Sequence, residues 1–437
     1  MGPAAAPESN SVNLKLRLIV MNFLQFYIWG SWLLTIGEYW FQNKHWSGVG
    51  FGAIFSTMGI AALFMPAIAG IVADRWINAE KLYGLLQIGG AAILFCVPMV
   101  ETPSTMFWVM LINMICYMPT IALAIAVAYN ALKREGSDVV RDYPPIRVWG
   151  TIGFIVALWT VSLLKIETSA SQFYVASAAS LLLGIYAFTL PPCPPKLGRQ
   201  DTSGRSLVDA LGLTSFRLFK DPKMAVFLLF AMLLGAALQL TNAYGGTFLK
   251  DFESMPEYAS TFGVRHPAII MSISQISETL FILTIPFFLR RFGIKAVMTM
   301  SMVAWFLRFG LFAYGDPGGG LWMIILSCIV YGMAFDFFNI SGSLFVEQQS
   351  DPRIRASAQG LFMVMTNGVG AVLGSSISGV LIDRYFTLAD GSKNWHGIWI
   401  TFSLYALAMA LLFVPLFKHK HDPAMLRDLH PDAKVGA

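Results

Sequence analysis

Two carboxylates interrupt long apolar runs. Glu278 stands in Ser274-Gln275-Ile276-Ser277-Glu278, and Asp336 in Tyr331-Gly332-Met333-Ala334-Phe335-Asp336. A carboxylate held at the middle of a bilayer costs at least about 2.5–3.5 kcal/mol, so it faces a bundle interior or a water-filled cavity. Burial disfavours the charged form. That suits a group that picks up and releases a proton. The plainer alternative is a structural ion pair, with Arg308 as the obvious partner. Neutral polar residues recur at the same depth. Gln239 and Asn242 are i, i+3 and share a helix face, as do Gln275 and Glu278. Arg147, Thr151 and Phe154 form one stripe at i, i+4, i+7, and Tyr331 and Phe335 are i, i+4. Gln25, Trp29, Trp32, Thr366 and Asn367 are further candidate lining residues. Taken singly, each could be a helix–helix hydrogen bond or plain packing; their agreement in depth argues for a site. Glu38 reads as interfacial, and Asp74, Glu347 and Asp383 as structural residues at helix ends.

This set offers amides, hydroxyls, two acids and aromatic rings, but few fixed cations. A multiply anionic ligand would want more positive charge, and a greasy one fewer amides. The chemistry fits a neutral, polyhydroxylated molecule with a flat face, held by stacking and by hydrogen bonds to hydroxyls and ring nitrogens. A nucleoside and a sugar both meet that description. Other chemistries lack their residues. No GxxxxGK[ST] string is present, and Gly374-Ser375-Ser376-Ile377-Ser378 lacks the second glycine of a nucleophile elbow. The six histidines fall in loops, helix ends or the tail, and the four cysteines are scattered, so no metal site or disulfide framework is expected.

The elements that must position these residues are membrane helices. Of 437 residues, 56% are hydrophobic and 13% charged, and mean hydropathy is +0.62. Soluble domains carry about 25% charged residues, which excludes an ordinary soluble enzyme. A span needs roughly 20 apolar residues. Twelve stretches qualify, near 14–38, 49–73, 82–100, 106–130, 146–165, 172–190, 224–249, 267–289, 295–314, 321–346, 356–383 and 396–417. The expected fold is an all-α integral membrane protein of twelve transmembrane helices in two six-helix halves, 14–190 and 224–417. A flexible N-terminal tail (1–13), without the features of a signal peptide, a linker (191–223) with an amphipathic piece near 206–219, and a C-terminal tail (418–437) complete it. With the N-terminus inside, 22 of the 30 Lys and Arg residues fall on the inner side and six on the outer. Both termini and the linker are therefore expected to be cytoplasmic. Gly368, Gly370, Gly374 and Gly379, with three serines between them, read as a close-packing surface.

Six plus six helices around a cytoplasmic linker is the layout of the major facilitator transporters. Gly70-Ile71-Val72-Ala73-Asp74-Arg75, followed by Lys81, resembles that superfamily's short cytoplasmic latch; Arg290-Arg291-Phe292-Gly293-Ile294-Lys295 is a second copy without the acid. Longer strings are more specific. FLQFYIWGSWL (23–33), GIAALFMPAIAGIVADRW (59–76), YPPIRVWGTIGFI (143–155), LLGAALQLTNAYGGTFL (233–249), IIMSISQISETLFILTIPFFL (269–289), VAWFLRFGLFAYGDP (303–317), YGMAFDFFNISGS (331–343) and IRASAQGLFMVMTNG (354–368) resemble the nucleoside:proton symporters of the major facilitator superfamily. The resemblance implies import of purine and pyrimidine nucleosides such as uridine and adenosine, driven by the proton gradient without a cofactor. It implies a site between the halves built from Arg147, Thr151, Phe154, Gln239, Asn242, Gln275, Glu278, Tyr331, Phe335 and Asp336, with Asp336 and Glu278 as the proton-coupling acids. It further implies a bacterial inner-membrane protein, expected as a monomer in the lipid bilayer, that takes no nucleic acid. Ala237 stands where close relatives would carry an acid, and the family includes a xanthosine carrier of narrower purine preference. A proton-coupled sugar transporter of the same fold and a nucleoside sensor without flux are the rival readings.

Overall fold

The computed structural model describes residues 8–195, 213–350 and 355–419. In hydrocarbon every backbone N–H and C=O must be satisfied within its own segment, so long apolar sequences become helices. Among the described residues there is no β-strand, only the isolated bridge between Thr387 and Lys393. We number the main helices α1 (Glu8–Gly30), α2 (Gly48–Arg75), α3 (Ala79–Cys96), α4 (Pro103–Arg134), α5 (Val139–Leu163) and α6 (Ser171–Ala187) in the first half. The second half holds α7 (Pro222–Asp251), α8 (Pro267–Ile282), α9 (Ile285–Tyr314), α10 (Leu321–Gln349) and α12 (Trp395–Leu416). Between the last two lies α11, which runs Arg355–Met363, through the π-helical segment Val364–Gly370, into Ala371–Leu381.

Local chemistry sets the ends. Thr102 caps α4 and Asp221 caps α7, each followed by a proline whose missing N–H costs nothing at a helix start. Asn394 Oδ1 accepts from Gly397 N to begin α12. Gly293, at φ 78°, breaks α9, so Ile285–Phe292 continues the eighth span and the ninth begins only after it.

Two boundaries differ from the sequence reading. Helix α1 starts at Glu8, so residues 8–13, expected as tail, are already helical. Its far end continues through Ile36–Glu38 into a π-helical turn at Tyr39–Asn43. Of the expected linker, residues 196–212 lie outside the described residues, and with them most of the amphipathic piece; Leu213–Lys220 forms a short 3-10 helix.

Helix partners repeat with a shift of six. In the first half α1 packs on α5, α2 on α4, and α3 on both α4 and α6; in the second α7 packs on α11, α8 on α10, and α9 on both α10 and α12. The halves meet along α2–α11 and α5–α8, again related by the same shift. Small residues allow this: a Cβ on Gly374 or Gly370 would meet α7, and one on Gly379 would meet the Gly48 carbonyl of α2. The small-residue face of α11 is thus a packing surface against two helices.

Candidate binding site

Contacts between the halves concentrate at the end away from both termini. Asp383, just past α11, accepts from Gly48 N and Val49 N at 2.7 and 2.6 Å, capping α2 across the interface. Trp159 Nε1 of α5 donates to Ser272 Oγ of α8 at 2.9 Å, Ser162 Oγ meets His266 Nδ1 at 3.1 Å, and Glu167 Oε1 accepts from Ala268 N at 3.2 Å. Burial pushes the Glu167 carboxyl above the usual range, against these hydrogen bonds. Lys393 sits 4.0 Å over the Phe41 ring. Toward the termini the same helices part. A Cβ on Gly52 would lie 2.2 Å from the Ser375 carbonyl oxygen and one on Gly59 2.7 Å from that of Gly368, whereas Gly70 of α2 and Gly360 of α11 meet nothing within 4 Å. Asp74 of the expected latch is exposed and, among the described residues, makes no ion pair.

The ten candidate residues lie beneath this seal on α5, α7, α8 and α10. Helix rise puts Glu278 about 9 Å below the Trp159–Ser272 bond, Thr151 about 12 Å and Arg147 about 18 Å. The Arg147 guanidinium lies 4.1 Å over the Phe26 ring. Phe154 is buried, its carbonyl against Gly30 of α1. Tyr331 and Phe335 stack in parallel at 6.1 Å and 5°. Asn242, Gln275 and Glu278 are half-buried, while Gln239 and Asp336 are buried. Glu278 lies within electrostatic reach of Arg147 across the interface and of Asp336 on α10.

Three of these residues keep a buried polar atom without a partner: Gln239 Oε1, Gln275 Oε1 and Asp336 Oδ2; nearby Trp29 Nε1 does too. An unpaired buried polar atom costs about 1–3 kcal/mol. Trp305 and Trp399 have unpaired Nε1 atoms as well, but both are wrapped in aromatic rings. The three orphans among the candidate residues are acceptors, one on each of α7, α8 and α10.

Arg308 is not the ion-pair partner considered for the two acids. Among the described residues no ion pair involves Glu278, Asp336, Arg147 or Arg308. Arg308 is fully buried. Its Nη1 donates to the Ser327 carbonyl at 2.8 Å and more loosely to Ser274 Oγ, and its Nε to Thr241 Oγ1, both at 3.4 Å. It also lies 4.5 Å over the Tyr331 ring. It therefore ties α7, α8 and α10 together directly behind the candidate residues. Hydrogen bonds from charged groups contribute about 1.5–3 kcal/mol. Arg308→Met should lower the thermal unfolding midpoint of purified protein, with Arg308→Lys recovering part of the loss. A methionine variant as stable as the parent would remove Arg308 from the scaffold.

Other expectations are also corrected. Gln25 does not line a cavity. It is fully buried, donating to Thr120 Oγ1 at 2.8 Å and accepting from Tyr83 Oη and Gln87 Nε2, which knots α1 to α3 and α4. Trp32 is buried too. Thr366 bonds the Phe362 carbonyl, and its own carbonyl abuts Gly235. Glu38, read as interfacial, is completely buried against Gly246 of α7, with both carboxylate oxygens unpartnered.

Comparison with known proteins agrees with this architecture. The profile of the nucleoside H+ symporter family matches residues 12–422. The xanthosine permease of Escherichia coli K12 is 55% identical over 95% of this chain and 99% of its own length. The nucleoside permease NupG of the same organism is 52% identical over 94% and 97%. The crystal structure of the nucleoside transporter NupG superposes with a TM-score of 0.87, at 52% identity, over 93% of this chain and all of that one. With the major facilitator fold established on these grounds, the chain belongs to the nucleoside H+ symporter family and is a secondary transporter, not an enzyme.

Proposed function

We propose that this chain imports purine and pyrimidine nucleosides, uridine and adenosine among them, each with a proton. The observation that carries the reading is the pair of mid-span acids, Glu278 and Asp336, held without an ion-pair partner among unpaired amide acceptors on facing helices. Gln239, Asn242, Gln275 and the acids take ribose hydroxyls and base nitrogens. Thr151 adds a hydroxyl, and Arg147 holds a positive charge on the α5 side. Phe154, Phe335 and Tyr331 supply ring faces. Asp336 and Glu278 exchange the proton, and no cofactor is needed because the proton gradient drives the cycle.

The Lys and Arg asymmetry supports cytoplasmic termini, and the likeness to bacterial permeases supports a place in the inner membrane. The sealed end is then the outer one, and the conformation is inward-open. Alternating access moves the closure from the outer seal to the inner end. The protein works as a monomer.

Uptake of labelled uridine into cells lacking their own nucleoside carriers tests the substrate. Uptake blocked by excess adenosine but not by ribose or a disaccharide is the expected result. Competition by sugars alone would favour a sugar carrier, and binding without flux a sensor. Aromatic–base stacking contributes about 1–3 kcal/mol. Phe335→Ala should therefore weaken uridine binding by roughly 5- to 150-fold in equilibrium titration of purified protein. Unchanged affinity there and in Phe154→Ala would remove stacking from the account.

A further inference from the structure

Four helix ends of the second half surround a cavity at the face that carries the termini. It is lined by Lys223, Lys295, Gln349, Lys418 and His419, with a volume of about 610 Å³. Lys223 enters from the start of α7, Lys295 from α9 just after the Gly293 turn, Gln349 from the last residue of α10, and Lys418 and His419 from beyond α12. None of these residues belongs to the candidate transport site.

Three lysines line this cavity. Among the described residues none of the three lysines makes an ion pair. Among the described residues, two acids near these helix ends are engaged: Asp221 accepts from Lys223 N at 3.0 Å as the helix cap, and Glu347 pairs with Arg355 at 3.0 Å. Lys295 Nζ donates to the Val414 carbonyl at 2.7 Å, which holds its ammonium near the end of α12. The His419 ring packs on Phe345 and Phe417, at 5.5 and 6.1 Å. Like charges gathered in a concave site raise the local potential and draw an anion. Val414 and Leu416 are exposed apolar residues beside the lysines, placed to meet acyl chains. Basic pockets between helices on the cytoplasmic side suit lipid head groups.

We propose that this cavity binds the phosphate of an anionic membrane lipid of the inner leaflet. The phosphate sits among the three ammonium groups, Gln349 donates to it, and the acyl chains run along Val414 and Leu416. The inference needs the membrane topology but not the nucleoside or proton assignments.

The test is the thermal unfolding midpoint of the purified full chain in detergent. Phosphatidylglycerol, phosphatidylcholine and inorganic phosphate are added separately, and each shift is read against the same protein's own baseline. Phosphatidylglycerol should raise the midpoint more than phosphatidylcholine. Combining Lys223→Gln, Lys295→Gln and Lys418→Gln should remove that difference, while Lys81→Gln with Lys133→Gln, exposed at the same face of the other half, should keep it. Equal shifts from the two lipids, or a difference that survives the triple substitution, would overturn the proposal. A shift from inorganic phosphate to which lipid adds nothing would overturn the lipid assignment and leave a soluble anion as the occupant.

Discussion

Asp336→Asn should abolish accumulation of nucleoside against its gradient while leaving binding measurable. Asparagine keeps the size of the side chain and one carbonyl-type acceptor but cannot take up a proton. Asp336 is buried on α10, and among the described residues its Oδ2 has no partner and no cation lies within ion-pair distance. A structural salt bridge would have been broken by this change; here no bridge exists to break. The variant should thus fold and exchange substrate across the membrane, yet lose proton-driven concentration. Glu278→Gln is the companion, because Glu278 lies within electrostatic reach of both Asp336 and Arg147. If Asp336→Asn still concentrates labelled uridine, Asp336 is not the obligatory proton carrier.

Gly52→Leu should nearly eliminate uptake by a different route. The seal at the end away from the termini brings α2 so close to α11 that even a Cβ on Gly52 would lie 2.2 Å from the Ser375 carbonyl oxygen. That neighbour is backbone and cannot rotate away. Overpacking of this kind costs about 1–3 kcal/mol or more, roughly a tenfold or larger shift between conformations. The cost falls only on the state in which this end is closed, so the variant should remain folded but rest open there. Surface expression together with uptake separates the two effects. Normal uptake at normal expression would show that the seal around Gly52 and Ser375 is not part of the cycle. Gly360→Ala, where nothing lies within 4 Å, should leave this conformation undisturbed and act only when the end carrying the termini closes.

How much of this was legible in the sequence depends on what each residue costs. Glu278 and Asp336 stood out because carboxylates within apolar runs are expensive wherever the helices point. Gln239 with Asn242, and Tyr331 with Phe335, were legible because 3.6-residue periodicity fixes which residues share a face. Arg308 was misread because depth along a span says nothing about rotation around it. The residue points between α7, α8 and α10, toward Ser327 and Tyr331 rather than toward an acid. Gln25 failed for the same reason: its partners Tyr83, Gln87 and Thr120 are 58 to 95 residues away. Glu38 lay at the edge of an apolar run, where sequence suggests headgroups, but the chain continues helically to Asn43 and buries it. The break between the eighth and ninth spans was visible as a basic loop, and only the backbone placed its corner at Gly293.

The central claim is that proton flow drives nucleoside accumulation. The most direct measurement is labelled uridine uptake by the purified protein in liposomes with an imposed pH gradient, acid outside, with and without a protonophore. The account predicts accumulation above equilibrium that needs the gradient and collapses to simple equilibration when the protonophore is added. Accumulation that persists with the gradient dissipated would contradict it.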